Sequence, residues 1–238
     1  IVIKGSVDID GSFTADGPIE ISTAAITIDT VGSNGAINME GTIDGGQELT
    51  LLSGSGAITI TGTVGGTTQL TALTVNSTGT GNINIKDIGD TNTVGVLNTT
   101  AIGNTTTGTL ELGGTTYKTN TATYTAEEGE NIDLTGGSTT TFTTSNDDIT
   151  FGTASVELAN GSDLVINTDT LGGAINLPGG VMGTSSENIT LTAGTGNVTA
   201  GAIGTGSEIA DVSITTTGNT TFSGDFTGGS LTNSCLLY

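Results

Sequence analysis

The chain has 238 residues, with 24 acidic against three basic side chains, a formal net charge of −21 and no histidine. This charge excludes nucleic acid as a partner, because no basic patch is available to neutralise phosphates, and it disfavours anionic membrane surfaces. The lack of histidine removes the commonest general base at neutral pH. Forty glycines, two prolines and 3% aromatic residues indicate short strands separated by many turns.

From the N-terminus, apolar residues recur in three columns with a period of about 21–25 residues. Around the column residues, short segments such as Ala57-Ile58-Thr59-Ile60-Thr61 alternate apolar residues and threonine. This alternation is typical of a strand with one buried face, and a period of this length is typical of a stacked solenoid. The first three sets are Ile28, Ile37 and Ile43, then Leu51, Ile58 and Val64, then Val75, Ile83 and Ile88.

Between about residues 89 and 163 the columns are less regular, although strand patterns return at Leu110-Glu111-Leu112 and Ile132-Asp133-Leu134. The least repetitive stretch is 117–131, which predicts a lateral loop. Insertions in solenoids form loops on one face, which is often the binding face. The loop is either a solvated turn with an acidic run or a binding loop. Its candidate residues are Tyr117, Lys118, Tyr124, Glu127, Glu128 and Glu130.

The three columns return toward the C-terminus, and a single cysteine follows them. Because Cys235 is the only cysteine, an internal disulfide is excluded. Cys235 is either a thiol for an intermolecular crosslink or a small apolar residue in a terminal strand. The returning sets are Ile166, Ile175 and Val181, then Leu191, Val198 and Ile203, then Ile214, Phe222 and Phe226.

The repeats predict an all-β fold, a right-handed parallel β-helix of roughly eleven coils that forms one unit over residues 1–238. The competing architecture is a string of immunoglobulin-like sandwiches. Such sandwiches usually bury a bulky aromatic residue, whereas this chain has no tryptophan and repeats at a fraction of a domain's length.

Acidic side chains raise the question of calcium, which binds six to eight oxygen ligands. The candidate clusters are Asp8 with Asp10, Asp87 with Asp90, and Asp147 with Asp148 beside Asn146. None has the spacing of a known calcium loop, and Asp in a turn commonly bonds the local backbone instead. We therefore expect no required cofactor, with calcium binding as an alternative.

Catalysis is not expected. Paired carboxylates can hydrolyse a glycosidic bond. Enzymes on parallel β-helices, however, generally place Arg, Lys or His beside the carboxylates, and here Lys4, Lys86 and Lys118 are far apart in sequence. The sequence thus favours a protein that is not an enzyme.

Three segments share a character rich in Gly and Thr with interspersed apolar residues: 65–75 (GGTTQLTALTV), 191–198 (LTAGTGNV) and 220–231 (TTFSGDFTGGSL). They resemble the repeats of filamentous-haemagglutinin-like bacterial surface exoproteins, which are also described as β-strand-repeat proteins. The resemblance implies a right-handed parallel β-helix that is exported and serves as a stalk, adhesin or fibre.

We expect an extracellular structural rod, stalk or filament on a bacterial surface. Ile1-Val2-Ile3 opens in strand pattern, and no hydrophobic segment is long enough to span a membrane. Exposed solenoid ends either continue in a longer chain or pair end to end with another copy. The alternative is an adhesin that binds a glycan or a surface protein through its irregular central loops.

Overall fold

The computed structural model describes residues 1–145, 147–168 and 170–235, and almost all of its regular structure is short β-strands. Two 3₁₀ segments, Val31–Ser33 and Ala159–Gly161, interrupt them. The strands of the first half are β1 (Val2–Ile3), β2 (Val7–Asp8), β3 (Phe13–Ala15), β4 (Ile19–Ile21), β5 (Ile26–Asp29), β6 (Ile37–Met39), β7 (Ile43–Asp44), β8 (Glu48–Ser53), β9 (Ile58–Ile60), β10 (Ala72–Ser77), β11 (Ile83–Ile85), β12 (Val96–Ile102) and β13 (Leu110–Leu112). Those of the second half are β14 (Thr116–Tyr124), β15 (Asn131–Leu134), β16 (Thr139–Thr144), β17 (Ile149–Phe151), β18 (Ser155–Glu157), β19 (Asp163–Asn167), β20 (Ile175–Leu177), β21 (Val181–Gly183), β22 (Asn188–Gly194), β23 (Val198–Ala200), β24 (Ile203–Gly206), β25 (Ile209–Thr216), β26 (Thr220–Phe222) and β27 (Gly228–Cys235).

The strands stack in parallel into a solenoid with three faces, which confirms the predicted fold class. Face 1 contains β2, β5, β8, β10, β12, the end of β14, β17, β20, β23 and β26. Face 2 contains β3, β6, β9, β11, β13, β15, β18, β21 and β24. Face 3 contains β1, β4, β7, single bridges at Val64 and Ile88, the start of β14, β16, β19, β22, β25 and β27.

The number of coils is slightly lower than predicted. Face 2 has nine strands, and the solenoid makes about nine turns instead of eleven. The difference arises because some coils are longer than the predicted period: Ile83 pairs with Leu110, which lies 27 residues further along the chain.

The core consists of side chains that point inward from all three faces. On face 1 the strand pairing places Ile28, Leu51 and Val75 in one column, as the sequence repeat predicted. These residues have no exposed surface, and the corresponding residues of the other faces are equally buried. Burial of apolar area at each turn provides the main stabilisation, at about 25 cal/mol per Å².

β14 connects two halves that differ in which face bears the long strands. Before it, the long strands lie on face 1, as in β8 and β10; after it they lie on face 3, as in β19 and β22. β14 contributes to both faces, because its start pairs with β16 and its end pairs with β17. A register shift between Val96 and Thr99 accompanies this change. The irregular sequence of the middle region thus corresponds to a change in coil shape.

No helix in the described part of the chain is both long enough and apolar enough to cross a membrane.

Glycines stack on one another at the turn between face 1 and face 2. A Cβ atom on Gly35, Gly56 or Gly81 would lie within 2.4 Å of the backbone carbonyl oxygen of the glycine one coil earlier. Real Cβ atoms do not approach backbone so closely, so this turn requires glycine in successive coils. Gly11, in the first coil of this column, has only the Ile9 side chain nearby, at 3.8 Å.

We predict that Gly56→Ala destabilises the solenoid by about 1–3 kcal/mol, because the coils must separate to admit the methyl group. Gly11→Ala should leave the free energy of unfolding within about 1 kcal/mol of the wild type, since its Cβ faces open space. Urea unfolding of both variants tests this difference. Equal destabilisation would show that stacking in the column is not the cause.

Candidate functional site

The predicted lateral loop is wrong in its first part. Residues 116–124 form β14, the longest strand, in place of a surface loop. Tyr117 is 1% exposed and Tyr124 is fully buried, so neither ring is available to a partner at the surface. The physical reason is that both rings point into the core, Tyr117 from face 3 and Tyr124 from face 1.

The two tyrosines belong to an aromatic cluster at the change of coil shape. Tyr117 stacks on Phe142 with ring centroids 4.9 Å apart, and Tyr124 stacks on Phe151 at 5.2 Å. The two stacks meet edge to face, with 5.4 Å between Tyr124 and Phe142. Both geometries are favourable for aromatic rings, so the four rings stabilise the core at this level.

The hydroxyl groups of the two tyrosines differ in their partners. Tyr117 donates to the carbonyl oxygen of Ile85 at 2.9 Å and accepts from the backbone N–H of Gly114 at 2.9 Å. The buried hydroxyl of Tyr124 has no partner among the described residues. Burial raises the pKa of both tyrosines. The cluster is therefore a structural element with one unpaired polar group.

The charged candidates of the predicted loop remain at the surface but do not form a pocket with the tyrosines. Lys118 donates from Nζ to the carbonyl oxygen of Thr91 at 3.2 Å. Glu128 and Glu130 are exposed, and Glu127 is half-buried. Glu130 accepts from the hydroxyl of Thr109 at 3.1 Å. A binding role for these four residues stays a prediction.

The calcium candidates bond backbone N–H groups of nearby turns and coils. Asp87 Oδ1 accepts from Thr115 and Thr116 of the next coil, both at 2.8 Å. Asp90 Oδ1 accepts from the N–H groups of Asn92 and Thr93, and these bonds lower the pKa of Asp90. Asp87 and Asp90 line one shallow pocket of about 180 Å³.

In the pair of Asp147 and Asp148, one side-chain carboxylate likewise accepts a hydrogen bond from the backbone of the next coil. Asp148 Oδ1 accepts from the N–H of Ala174 in the next coil at 2.6 Å, whereas Asp147 accepts from Thr144 through its backbone carbonyl oxygen. Within the described ranges, no group of three or more acidic, His or Cys residues is arranged to hold a metal ion. Calcium binding stays a prediction without a site.

Two of the residues singled out from the sequence cannot be assessed. Asn146 lies outside the described residues. Cys235 ends β27, but its side chain lies outside the description. The intermolecular crosslink therefore stays a prediction.

The structure brings together three acidic residues that the sequence analysis did not select. Glu111, Asp133 and Glu157 pair directly in β13, β15 and β18, so their side chains stand in one outward column on face 2. Adjacent strands lie about 4.8 Å apart, which places the carboxyl groups of successive coils close to one another. We refer to these three residues as the acidic ladder. Uncharged residues, Asn84 and Met182, occupy the next positions of the column.

Hydrogen bonds hold the outer members of the acidic ladder but not the central one. Glu111 Oε1 accepts from the Thr135 hydroxyl at 2.8 Å, and Glu157 Oε2 accepts from the Asn131 amide at 2.8 Å. Asp133 Oδ1 is inaccessible to solvent and has no partner among the described residues. Burial, followed by the charges of Glu157, Glu111 and Glu130, raises the pKa of Asp133 to about 6.

A second buried carboxylate, Glu187, lies in the turn before β22. It is 1% exposed, and its Oε1 accepts from the backbone N–H and hydroxyl groups of Thr184 and Ser185. Burial would raise the pKa of Glu187, but these hydrogen bonds outweigh it and lower the pKa. Glu187 thus fixes a turn, and its pKa shifts in the direction opposite to that of Asp133.

Comparison with protein-family models, with curated protein sequences and with solved structures finds no match to this chain. The resemblance to filamentous-haemagglutinin-like proteins therefore rests on the sequence segments alone, while the structure supports the coarser statement that the chain is a β-solenoid repeat protein.

The tyrosine cluster gives a matched pair of substitutions. Tyr124→Phe should stabilise the protein or leave it unchanged, because it removes a buried hydroxyl without a partner. Tyr117→Phe should destabilise it by about 1–3 kcal/mol, because the Gly114 N–H and the Ile85 carbonyl oxygen lose their shared partner. Thermal and urea unfolding measure both. A larger loss of stability in Tyr124→Phe than in Tyr117→Phe would contradict this assignment.

Proposed function

We propose that this chain is a segment of an extracellular structural rod, stalk or filament on a bacterial surface, and that it has no catalytic role. The observation that carries the proposal is the continuous pairing along face 3 from β1 to β27, through strands and, at Val64 and Ile88, single bridges. A ladder of backbone hydrogen bonds at every coil resists extension and protease attack, because local opening requires the loss of several bonds and of core contacts together.

The terminal coils support stacking on further coils. At the C-terminal end, Phe222 and Phe226 pack only partly against the core and Leu231 is 43% exposed. At the other end, Phe13 is also only partly buried, while Ile1 is exposed. These residues extend the core columns to surfaces where another coil would cover them. Such a coil belongs either to a longer polypeptide or to a second copy, which would give a filament.

The outer surface fits a hydrated rod. The central outward column of face 1 is mostly threonine, which favours strands and bonds water through its hydroxyl group. The high negative charge opposes side-by-side aggregation of such rods. The column comprises Thr27, Thr50, Thr74, Ala101, Thr123, Thr150, Asn176, Thr199 and Thr221.

Adhesion through the central loops is the alternative function that the sequence suggested. Because Tyr117 and Tyr124 are buried, neither ring is available to contact an adhesion partner. Of the residues predicted to bind in this region, Glu128 and Glu130 remain exposed to a partner. We therefore favour the mechanical role over adhesion.

Electron microscopy of the purified 238-residue chain tests the proposal. We expect rods roughly 45–50 Å long, from about ten strand spacings, and longer objects that are multiples of this length. Leu231→Lys should reduce the longer objects by placing a charge on the terminal apolar surface. Leu171→Lys is the matched control, because Leu171 is 67% exposed but lies away from the terminal coils.

Isolated rods at every protein concentration would contradict end-to-end stacking by this chain. The same length distribution for both lysine variants would show that the C-terminal coil is not the contact. Rapid proteolysis within the described strands would contradict the mechanical role itself.

A further inference from the structure

The acidic ladder on face 2 is a structural feature that the proposed mechanical function does not explain. Three carboxyl groups from successive coils share one column, and Glu130 lies beside them in the turn that precedes β15. Like charges directly opposite each other in a sheet oppose pairing, and partial removal of water strengthens the repulsion. The ionised ladder therefore weakens the stacking of the coils that it crosses.

The neighbouring groups do not neutralise the ladder. The uncharged donors Thr135 and Asn131 bind Glu111 and Glu157 and hold them near the central Asp133. Lys86, which follows β11 on the same face, donates to the carbonyl oxygen of Gly113 at 3.0 Å. The preceding turn adds further acidic residues, Glu127 and Glu128, and the next coil presents the neutral Met182.

We propose that Glu111, Asp133 and Glu157 form a proton-dependent clasp that joins three coils in mild acid and loosens as the pH rises. In the closed state a proton from solvent binds the Asp133 carboxyl group. The resulting O–H can donate to a carboxylate oxygen of a neighbouring coil, and the charge of the column falls by one. Above this range Asp133 is ionised, and its buried oxygen Oδ1 then carries no proton and has no donor within the described part of the chain.

The direction of the pH effect follows from linkage. The pKa of Asp133 is raised in the folded state to about 6 from its ordinary value of 3.8, so the folded protein binds the proton more tightly than the unfolded chain does. The stabilising effect of this proton is fully present below 3.8 and is lost as the pH rises through about 6. Between pH 5 and pH 8 it corresponds to about a tenfold change in the unfolding equilibrium constant.

Comparison of Asp133→Asn with the wild type at pH 5 and pH 8 tests the clasp. The variant has a neutral, proton-donating group at every pH. We expect the ratio of its unfolding equilibrium constant in urea to that of the wild type to be about tenfold smaller at pH 8 than at pH 5. Asp16→Asn is the control, since Asp16 is exposed and lies on another coil. The ratio of the unfolding equilibrium constant of Asp16→Asn to that of the wild type should be the same at both pH values.

Two local measurements separate the clasp from a general effect of charge. The carboxyl carbon of Asp133, followed by NMR, should titrate with a midpoint near pH 6. Amide hydrogen exchange, corrected for its intrinsic pH dependence, should slow in β13, β15 and β18 at pH 5 and remain unchanged in β22 and β25. A midpoint near 4 would overturn the proposal, as would equal slowing in all five strands.

Calcium is the competing explanation for any relief of repulsion in the ladder. Titration of the wild type with calcium chloride at pH 8 distinguishes the two. We expect less than a twofold change in the local exchange rates of β15 at millimolar calcium. If calcium instead slows exchange in β15 as strongly as acid does, the column is a cation site and the assignment to a proton is wrong.

Discussion

The in-register pairing of parallel strands is the interaction on which the rest of this structure depends. Each residue lies directly above the corresponding residue of the previous coil, as Leu51 lies above Ile28 and below Val75. A shift of one residue would move the buried side chains to the surface, so the register is strongly specified. Every other property of the solenoid is then a property of columns: apolar columns make the core, glycine columns make a tight turn, and carboxyl columns concentrate charge.

The change of coil shape at β14 shows how far this constraint can be relaxed. The long strands move from face 1 to face 3, and pairing continues because β14 contributes to both faces. The core at this level contains four aromatic rings, including Phe142 and Phe151. Among the described residues, fully buried aromatic rings occur only here, while the other coils bury mainly Ile, Leu and Val.

Much of the fold could be predicted from the sequence, because inward columns have a simple apolar signal at nearly constant spacing. The candidate site could not. Tyr117 and Tyr124 lie in an irregular stretch beside an acidic run, and their seven-residue separation gives no indication that they enter the core from two different faces. Outward columns, unlike inward ones, contain no repeated apolar residues, so the sequence alone does not show which outward residues are stacked. The similar triplets at Glu111 and Asp133 were visible, but only the strand pairing shows that Glu157 completes their column.

The acidic residues of this chain act in two opposite ways, and their position in a column decides which. Asp44, Asp87 and Asp148 each accept hydrogen bonds from backbone N–H groups of the next coil, so their charges join successive coils. In the acidic ladder the same kind of group faces its own charge and opposes stacking. A net charge of −21 therefore does not by itself determine whether neutralisation strengthens the rod. Mild acid acts on the acidic ladder because burial and the stacked charges of Glu157 and Glu111 raise the pKa of Asp133 into that range.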